Sequence, residues 1–556
     1  MSLLEARERA QAEWKRLQNG GRVRVYLDTG SYGRSAGSLP VYERFASDFA
    51  SRNIAAQIIP VGTLGCREIE PLAGIAKPGW PRIYYPNLTV ALASELVASC
   101  IVGNDPRPDL ALGTDASNGF AGIPPLASLP PFRSQVRVAL RHCGQIDPED
   151  IHHYLANGGY GGFTQALTMP PEELLDAIEQ AGLRGRGGAG FPAAQKWRVC
   201  RHAESSPKYV ICNAAEGAPE ACKDEVLLEG DPHAVLEGLL IAAYAVGASR
   251  GYIYINPDCR VAIRRLGVAL EQMKTLQLLG ENILSSNFSF ALEVREANRG
   301  FAGGEETVLL SSLEGRLPRA YARPPYPATA GLRSRPTLVH NVETLAHVSA
   351  ILQKGVAWYR ALGTRKCPGT KLVTLSGRLQ RSGVAEVPMG TPLRQIVTEI
   401  AGGALPGDEL KAVQVGGPTG GWVPADQLDI ALDFEELRGA GCVMGNGSIV
   451  AADTHACAVD LARRAASFAH SESCGKCTFG REGTRQLRDV LTDVATGQGA
   501  PADLQLLLTL GDGMKAGSLC AHGRTAPDAV LTTLQHFRPE YEAHVSLKRC
   551  PAGVCS

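Results

Sequence analysis

The chain has 556 residues, in which 56 Lys and Arg residues balance 56 Asp and Glu residues. Zero net charge removes any general electrostatic attraction to nucleic acid or to an anionic membrane, so we expect protein or small-molecule partners. The length predicts three or four units, each able to bury its own core.

The apolar segments and the cysteines of the sequence indicate the cellular compartment of the protein. The apolar run Ala234–Ala248 is too short and too amphipathic to span a bilayer, and the N terminus shows no signal peptide. Fifteen cysteines without a secretory signal indicate reduced thiols and metal ligands rather than a disulfide framework. We therefore predict a cytoplasmic protein with no membrane span.

The N-terminal part begins with helix and strand periodicity, which ends before a stretch rich in Pro and Gly. Residues 3–17 predict a charged helix, and residues 22–98 alternate strand, helix and strand patterns. Cys66 is the only cysteine between Arg22 and Ala98. Residues 104–131 are rich in Pro, Gly, Asp and Ser, which is typical of a linker or an extended docking arm.

A glycine-rich loop follows a predicted helix. Gly185, Gly187, Gly188 and Gly190 remove side-chain bulk, so the backbone can approach a bound group and present N–H donors to phosphate. Arg184 and Arg186 add positive charge, Phe191 offers a ring for stacking, and Lys196 has the length to reach a phosphate or a flavin edge. Asn213 ends the buried strand that comes next, where α/β folds place ligand-binding groups.

The C-terminal half carries thiols and imidazoles. Short strands and turns fill residues 369–433, and helical periodicity fills residues 451–541. At the end of the chain, soft thiolates with one imidazole suit tetrahedral zinc, and an unmetallated tail is the alternative. The four candidate zinc ligands are Cys457, His544, Cys550 and Cys555.

Six stretches occur in a fixed order from about Glu173 to the C terminus: RGRGGAGFP, GGEETVLLSSLEG, RPPYPATAGL, HNVETLA, ESCGKC and GSLC. In these stretches the chain resembles the FMN-containing, NADH-binding flavoprotein subunits of complex I, NAD-linked hydrogenases and NAD-linked formate dehydrogenases. The resemblance implies an α/β multidomain fold. Its expected parts are a thioredoxin-like domain (1–103), a linker (104–150), a Rossmann-like FMN- and NAD-binding domain (151–365), a β-grasp-like domain (366–440) and a helical iron–sulfur bundle (441–556).

The resemblance also implies which residues bind FMN and NAD(H). Glu306 is expected near the adenosine ribose, where a carboxylate favours NAD over NADP. Arg323 is expected at the pyrophosphate and Tyr326 on the adenine, whereas Val199, Ala215 and Ala218 lack groups that the family has. The implied cofactor-binding set is Gly185, Arg186, Gly187, Phe191, Lys196, Asn213, Glu216, Gly304, Glu305, Glu306, Arg323, Tyr326, Asn341 and Thr344.

Both iron–sulfur motifs of the family are altered here. Thr63 and Arg67 replace two family cysteines, and Cys66 alone cannot hold a [2Fe–2S] centre, so we expect a thioredoxin-like domain without a cluster. In the bundle, Cys474, Cys477 and Cys520 remain.

Gly480 occupies the position of the third cysteine of this bundle motif. A [4Fe–4S] cluster with water or another ligand, a [3Fe–4S] cluster, or no cluster are the open outcomes, and we favour a retained cluster. His522 and Cys442 are nearby candidates for a replacement ligand.

These features predict a diaphorase-type electron-transfer subunit. It would exchange hydride between NAD(H) and FMN, and single electrons with an iron–sulfur centre and with iron–sulfur and dehydrogenase- or hydrogenase-type partner subunits. No side chain is expected to act as a nucleophile or a general base. The alternative is a structural or regulatory subunit, or one passing electrons directly from flavin to a partner, with little NADH activity.

Overall fold

The computed structural model describes residues 2–555, which form a mixed α/β multidomain structure with three sheets. Each sheet belongs to a consecutive part of the chain, and a group of helices closes the C-terminal end. None of the helices within residues 2–555 combines the length and apolar character needed to cross a bilayer.

The first sheet lies in the N-terminal part. Its strands are β1 (Val23–Asp28), β2 (Ala56–Val61), β3 (Ala73–Ala76), β4 (Ile83–Tyr85) and β5 (Gly113–Thr114). They are ordered β2-β1-β3-β4-β5, with β1 and β2 parallel and the other pairs antiparallel. The helices are α1 (Leu3–Asn19), α2 (Ser31–Ser35), α3 (Ser38–Ser51), α4 (Val90–Leu96) and α5 (Pro130–Arg133). The fifth strand lies beyond residue 103, inside the segment that we expected to be a linker.

The second sheet is fully parallel and carries the glycine loop at its edge. Its strands are β6 (Tyr209–Ala214), β7 (Arg250–Ile255), β8 (Ala291–Glu296) and β9 (Thr337–Asn341), in the order β8-β7-β6-β9. Parallel strands need crossover connections, and helices supply them here. The helices of this part are α6 (Ile151–Ala156), α7 (Gly161–Thr168), α8 (Pro171–Ala181), α9 (Ala193–His202), α10 (Lys223–Gly230), α11 (Pro232–Val246), α12 (Arg260–Thr275), α13 (Glu306–Leu313), α14 (Pro327–Ala330), α15 (Val342–Lys354) and α16 (Val356–Arg360). Helices α10 to α14 lie in the crossovers between the four strands.

Helix α11 forms the centre of the largest core. The run AVLEGLLIAAYAVGA, which we expected to be amphipathic, is apolar on nearly all sides apart from Glu237, and nearly every residue of α11 is buried. A side chain at Gly238 would place its Cβ 1.9 Å from the Leu345 carbonyl oxygen. Glycine therefore allows α11 and α15 to pack closely, which fixes the helix layer beneath the sheet.

The third sheet mixes parallel and antiparallel pairs. Its strands are β10 (Thr370–Gly377), β11 (Gly383–Pro388), β12 (Leu410–Val415), β13 (Trp422–Pro424) and β14 (Ser448–Asp453). They are ordered β11-β10-β14-β12-β13, and only β10 and β14 are parallel. Two short helices, α17 (Leu393–Gln395) and α18 (Phe434–Gly439), flank the sheet. Strand β14 lies past residue 440, so this sheet draws on the segment that we assigned to the bundle.

Helices make up the C-terminal part. They are α19 (Ala458–Ser471), α20 (Thr484–Ala495), α21 (Pro501–Gly517), α22 (Ala521–Thr525), α23 (Asp528–His536) and α24 (Arg538–Leu547). Their apolar faces form one core that includes Leu487, Leu491, Leu507 and Tyr541. The candidate ligand thiols lie just outside these helices: Cys457 before α19, Cys474 and Cys477 after it, Cys520 between α21 and α22, and Cys550 and Cys555 after α24.

The N-terminal part is joined to the second part by polar contacts. Ser31 donates its backbone N–H to a Glu229 carboxylate oxygen at 2.7 Å, and its hydroxyl donates to Glu225 at 3.0 Å. The Arg265 guanidinium donates to the Thr29 hydroxyl at 2.8 Å. Thr29 and Ser31 lie in YLDTGSYGR, so this loop serves as a docking contact.

Candidate functional site

Two asparagines lie at the ends of the neighbouring strands β6 and β9. Asn213 and Asn341 are direct neighbours in the parallel register, so both lie at the carboxyl edge of the sheet, where such folds bind ligands. The Asn213 amide donates to the Gly304 carbonyl at 2.8 Å, and the Asn341 amide donates to the Asp224 carboxylate at 2.6 Å. Both side chains are thereby held at this edge by neighbouring segments.

A buried ionic cluster lies beside these asparagines. The Lys223 ammonium is 2.5 Å from the Asp224 carboxylate and 3.8 Å from those of Glu216 and Glu343. Burial lowers the Lys223 pKa, but the surrounding carboxylates outweigh it and raise that pKa above its usual range. One Glu216 oxygen accepts from the Asp224 N–H at 2.9 Å, while the other is buried without a hydrogen-bond partner among residues 2–555. A polar ligand would satisfy this oxygen.

The glycine loop spans the turn between α8 and α9 and approaches Asn341. Gly185 donates its N–H to the Phe191 carbonyl at 2.9 Å, which closes the loop. A Cβ at Gly187 would lie 3.1 Å from the Asn341 Cβ, so a larger residue would displace the asparagine. Gly188 has φ +129°, a conformation that glycine adopts without strain. The predicted cradle therefore forms against the carboxyl edge of the sheet.

Arg186 supports this loop from beneath. Its side chain is fully buried and donates to the carbonyls of Thr370 and Pro368 at 2.9 and 2.6 Å, and its N–H donates to the Thr344 hydroxyl at 2.8 Å. The guanidinium is thus committed to backbone carbonyls, which differs from the predicted contact of this side chain with a cofactor. Thr344 is likewise fully buried and holds the loop backbone.

Four charged side chains meet at the start of α13. The Lys196 ammonium forms an ion pair with Glu306, and the Arg323 guanidinium lies 3.3 Å from Glu306 and 3.4 Å from Glu305. Glu305 also accepts from backbone N–H groups in the first turn of α13 at 2.8 and 3.0 Å. As a result, two cations and two carboxylates, all predicted site residues, share one patch.

The predicted stacking rings lie at the surface of this region. Phe191 is 53% exposed and Tyr326 is 59% exposed, so each residue has surface that a ligand could contact. Val199 on α9 is also exposed, whereas Ala218 is buried. Aromatic faces this open suit stacking on a flat heterocycle.

Three cysteines converge on one small cavity. The cavity is lined by Glu305, Cys474, Cys477, Gly480, Cys520 and His522, together with Ala302, Val308, Ser473, Lys476 and Gly523. The Cys477 sulfur accepts from the Gly480 N–H at 3.3 Å. Burial raises the pKa of the Cys520 thiol, and the neighbouring Glu305 adds to the effect. The predicted iron–sulfur thiols are therefore brought together across 46 positions of sequence, from Cys474 to Cys520.

A glycine turn connects this cavity to the charged patch. Glu472, at the end of α19, accepts from the Phe301 N–H at 2.6 Å. Gly300 has φ +105°, and a Cβ there would lie 2.7 Å from a Glu472 oxygen. Because Glu305 belongs both to the patch and to the cavity wall, the two predicted centres are adjacent.

The C-terminal tail forms a second thiol cluster. The ligand atoms of Cys457, His544, Cys550 and Cys555 all lie within 4.8 Å of one another. The Cys457 sulfur is 3.7 Å from His544 Nε2, and His544 Nδ1 donates to the Glu540 carbonyl at 2.7 Å. A carbonyl on the second ring nitrogen is the usual outer partner of a metal-binding histidine. Three thiols and one imidazole form the predicted donor set for tetrahedral zinc.

Two family models match the chain. The Nuo51 FMN-binding domain matches residues 178–350, and the NADH-ubiquinone oxidoreductase-F iron-sulfur binding region matches residues 460–544. The NADP-reducing hydrogenase subunit HndC of Solidesulfovibrio fructosivorans is 44% identical over 76% of this chain and 86% of its own length. The F 2 subunit of NADH-quinone oxidoreductase from Rhizobium meliloti (strain 1021) is 41% identical over 74% of this chain and 99% of its own. The chain belongs to the family of NADH-quinone oxidoreductase F subunits.

Solved structures agree with membership in this family. A crystal structure of NAD⁺-reducing [NiFe]-hydrogenase in the H2-reduced state superposes with a TM-score of 0.65 at 29% identity. The alignment covers 98% of this chain and 87% of that one. The resemblance predicted from sequence is thereby confirmed, together with an FMN-binding domain and an iron–sulfur binding region.

The residues present fit the groups that the F subunits carry. The unpartnered Glu216 oxygen, two strand-end amides and a loop that excludes side chains form a polar recess suited to the hydroxyls and phosphate of a flavin nucleotide. Three thiols around one cavity suit iron.

Sequence reasoning missed Lys223 and Asp224. Both begin α10 inside EACKDEV, where two adjacent charges normally indicate a solvated helix N terminus. Here they are 1% and 4% exposed and contact Asn341. The apolar residues that follow them could have indicated their burial, because a helix that is buried along its length also buries its first turn.

The Glu216 carboxyl gives a pH-dependent stability prediction. Burial, reinforced by Asp224, raises its pKa from 4.5 to about 8, so the folded chain holds this proton at pH values where the unfolded chain has released it. The group therefore contributes stability below about pH 4.5 that is lost as pH rises to about 8. We expect the free energy of unfolding of Glu216→Gln, relative to the unsubstituted protein, to increase over this interval and then level off.

Urea unfolding of flavin-free protein between pH 5 and 9 measures this difference. Glu293→Gln is the matched control, because that carboxylate lies on an exposed strand edge and is 54% exposed. Its difference from the unsubstituted protein should not depend on pH. A Glu216→Gln difference that stays constant across the interval would contradict the assignment.

Proposed function

We propose that this chain is a diaphorase-type subunit that exchanges hydride between NAD(H) and FMN and single electrons with an iron–sulfur centre. Bound flavin supplies that chemistry, and the protein supplies binding, orientation and electrostatics. The observation that carries the proposal is the position of Glu305. Its carboxylate lies in the charged patch of the predicted dinucleotide site and lines the cysteine cavity, so the two redox sites share a wall.

The flavin end of the site would be held by the sheet edge. Asn213, Asn341 and Glu216 would bond the polar chain of the cofactor, and Gly185 and Gly187 would give its phosphate access to the loop backbone. Lys223 would keep local positive charge beside these groups, since the Asp224 and Glu343 carboxylates stabilise its protonated form. Gly304 would keep the turn close, because a Cβ there would lie 2.9 Å from the Ala215 carbonyl.

The dinucleotide end would use the surface patch. Lys196 and Arg323 carry the positive charge that a pyrophosphate needs, and Phe191 and Tyr326 offer exposed rings. Glu306 lies between both cations, where its carboxylate would accept hydrogen bonds from a ribose. We assign it the discrimination between NAD and NADP, since a carboxylate repels a 2′-phosphate.

Replacing Glu306 by Gln tests that assignment. We expect the ratio of kcat/KM for NADPH to that for NADH to rise by about tenfold, which is about 1.4 kcal/mol of lost discrimination. Steady-state dye reduction with both nucleotides measures it. Glu314→Gln at the end of α13 is the control and should leave the ratio unchanged. An unaltered ratio in Glu306→Gln would refute the role.

The remaining parts of the chain would position this centre and connect it to partners. We propose that the first sheet is a thioredoxin-like domain without a [2Fe–2S] cluster and that the third sheet is a β-grasp-like scaffold. The partners would be iron–sulfur and dehydrogenase- or hydrogenase-type subunits, since relatives include subunits of NADH-quinone oxidoreductase and of NADP-reducing hydrogenase. We propose domain boundaries near residues 103, 150, 365 and 440, although strands β5 and β14 lie beyond the first and the last of them.

We also propose a structural zinc site at the tail. Cys457 begins α19, His544 lies on α24, and Cys550 and Cys555 follow that helix. A metal bound by all four would join the chain end to two helices of the bundle. Fixed links of this kind stabilise a fold without taking part in electron transfer.

The decisive test of the proposed function is NADH-dependent dye reduction by anaerobically purified, FMN-loaded protein. We expect flavin-dependent turnover with a small dye that reaches the flavin directly. Absence of turnover in protein with full flavin content would favour a structural or regulatory role instead. Flavin-free protein is the control for turnover that does not depend on the cofactor.

A further inference from the structure

We propose that His522 Nδ1 is the fourth protein ligand of the iron–sulfur cluster, together with Cys474, Cys477 and Cys520. The inference rests on the proposed cluster site and specifies its ligand set. It assigns to an imidazole the coordination position for which Gly480 provides no side chain. The cluster would then be a four-iron cluster with three thiolates and one histidine.

The first argument is the placement of His522. It follows Cys520 by two residues at the beginning of α22, and its ring is 7% exposed. The ring lines the same small cavity as the three cysteines. Phe301 packs against it with a centroid distance of 5.4 Å, which restricts how the imidazole can turn.

The second argument is the state of its two nitrogens. Nε2 lies 2.9 Å from the Ala469 carbonyl oxygen, and a carbonyl only accepts, so the hydrogen is on Nε2. Nδ1 is buried and has no hydrogen-bond partner among residues 2–555. Burying a nitrogen lone pair without a hydrogen-bond partner costs free energy of folding. Metal-binding histidines have this arrangement: one ring nitrogen donates to a carbonyl, and the other is left for the metal.

The third argument is the geometry at Gly480. A Cβ at this position would lie 3.0 Å from the Cys477 sulfur and 3.7 Å from the Ser473 hydroxyl, so position 480 faces the thiols and contributes no ligand atom. A Cβ at Gly523 would lie 3.7 Å from the Gly480 Cα. The loop that carries His522 therefore packs directly against the residue whose side chain is missing.

Other donors around the cavity are already engaged. The Ser473 hydroxyl donates to the Gly480 carbonyl at 2.7 Å and accepts from the Gly475 N–H at 3.3 Å. Glu305 caps α13 and pairs with Arg323. Cys442 packs in the core of the third sheet and is absent from the cavity wall. Apart from the three cysteines, His522 is the lining residue among residues 2–555 whose ligand-type atom, Nδ1, makes no hydrogen bond.

The ligand exchange has a redox consequence. A neutral imidazole in place of a thiolate removes one negative charge from the cluster environment. Histidine ligation raises the reduction potential of iron–sulfur centres relative to thiolate ligation. We expect the cluster of this chain to be easier to reduce than that of a variant with cysteine at position 522.

The test begins with the full chain purified anaerobically, so that it depends on no substitution. Iron and sulfide analysis should give about four of each per chain, and the reduced protein should show a [4Fe–4S] signal by EPR. Pulsed EPR of protein carrying ¹⁵N-histidine should reveal a directly bound nitrogen. A three-iron cluster, or a four-iron cluster without nitrogen coupling, would overturn the inference.

Two variants extend the test. His522→Cys should keep about four irons, lose the nitrogen coupling and shift the reduction potential downward. His522→Leu should lose the coupling and yield a three-iron cluster. Coupling that persists in either variant would overturn the assignment.

The same preparation separates this inference from the proposals on which it rests. Protein without any iron would refute the cluster site as well as its histidine ligand. Flavin content and NADH-dependent dye reduction, measured in parallel, report on the flavin site independently. A protein with full dye turnover and a cluster lacking nitrogen would contradict only the role of His522.

Discussion

Replacing Cys477 by Ala is expected to remove the iron–sulfur cluster while NADH-dependent dye reduction continues. The Cys477 sulfur faces the cavity and accepts from the Gly480 N–H, and position 480 has no side chain to replace it. Iron should fall from about four atoms per chain to fewer than about one. In the complex purified with its partner subunits, turnover that requires those subunits should fall by at least about 100-fold.

The experiment compares two activities of the same variant, dye reduction and partner-dependent turnover. Dye reduction that draws on the flavin should stay within about twofold, because Cys477 contacts neither the glycine loop nor the sheet edge. Cys259→Ser is the matched control, since Cys259 is half-buried at the start of α12, far in sequence from both thiol clusters. Partner-dependent turnover that survives complete loss of iron would favour direct transfer from flavin to a partner.

The sequence predicted the parts of the site that depend on local pattern. The glycine loop, the strand-end asparagines and the acidic pair at α13 are each recognisable within a dozen residues. The structure brings them to one edge because β6 and β9 are parallel neighbours. Likewise, the spacing of thiols near the tail predicted a cluster that the fold assembles from α19, α24 and the chain end.

Roles that depend on distant partners could not be predicted. Arg186 lies in a loop that looks like a phosphate site, but its guanidinium is held by carbonyls about 180 residues further along the chain, at Pro368 and Thr370. In the sequence, Lys223 and Asp224 resemble solvent-exposed charges, whereas in the structure both are buried and contact Asn341. The sequence offered His522 and Cys442 equally as replacement ligands, and only the engaged Nε2 of His522 and its Nδ1, which has no partner among residues 2–555, favour the histidine.

Removing the proposed zinc site should destabilise the C-terminal bundle. The four proposed ligands differ in burial. Cys457 and His544 are buried in the bundle, whereas Cys550 and Cys555 lie in a half-buried tail. A tetrahedral metal would add a link to the partial packing of Cys550 and Cys555 against the bundle core. Because structural zinc stabilises small domains strongly, and this bundle also has its own core, we expect Cys555→Ser to lower the thermal midpoint by about 5–10 °C.

Zinc analysis and thermal unfolding with and without a chelator measure this effect. Chelation should lower the midpoint of the unsubstituted protein to that of Cys555→Ser and leave the variant unchanged, because both remove the same link. Cys442→Ser controls for loss of a buried thiol outside the cluster and should keep its zinc. If the protein is isolated without zinc and a chelator does not change its thermal midpoint, the proposed zinc site is wrong. Since the tail ligands share no residue with the lining of the Cys520 cavity, dye reduction and iron content should survive chelation of zinc. That outcome would separate a structural metal from the electron-transfer centre.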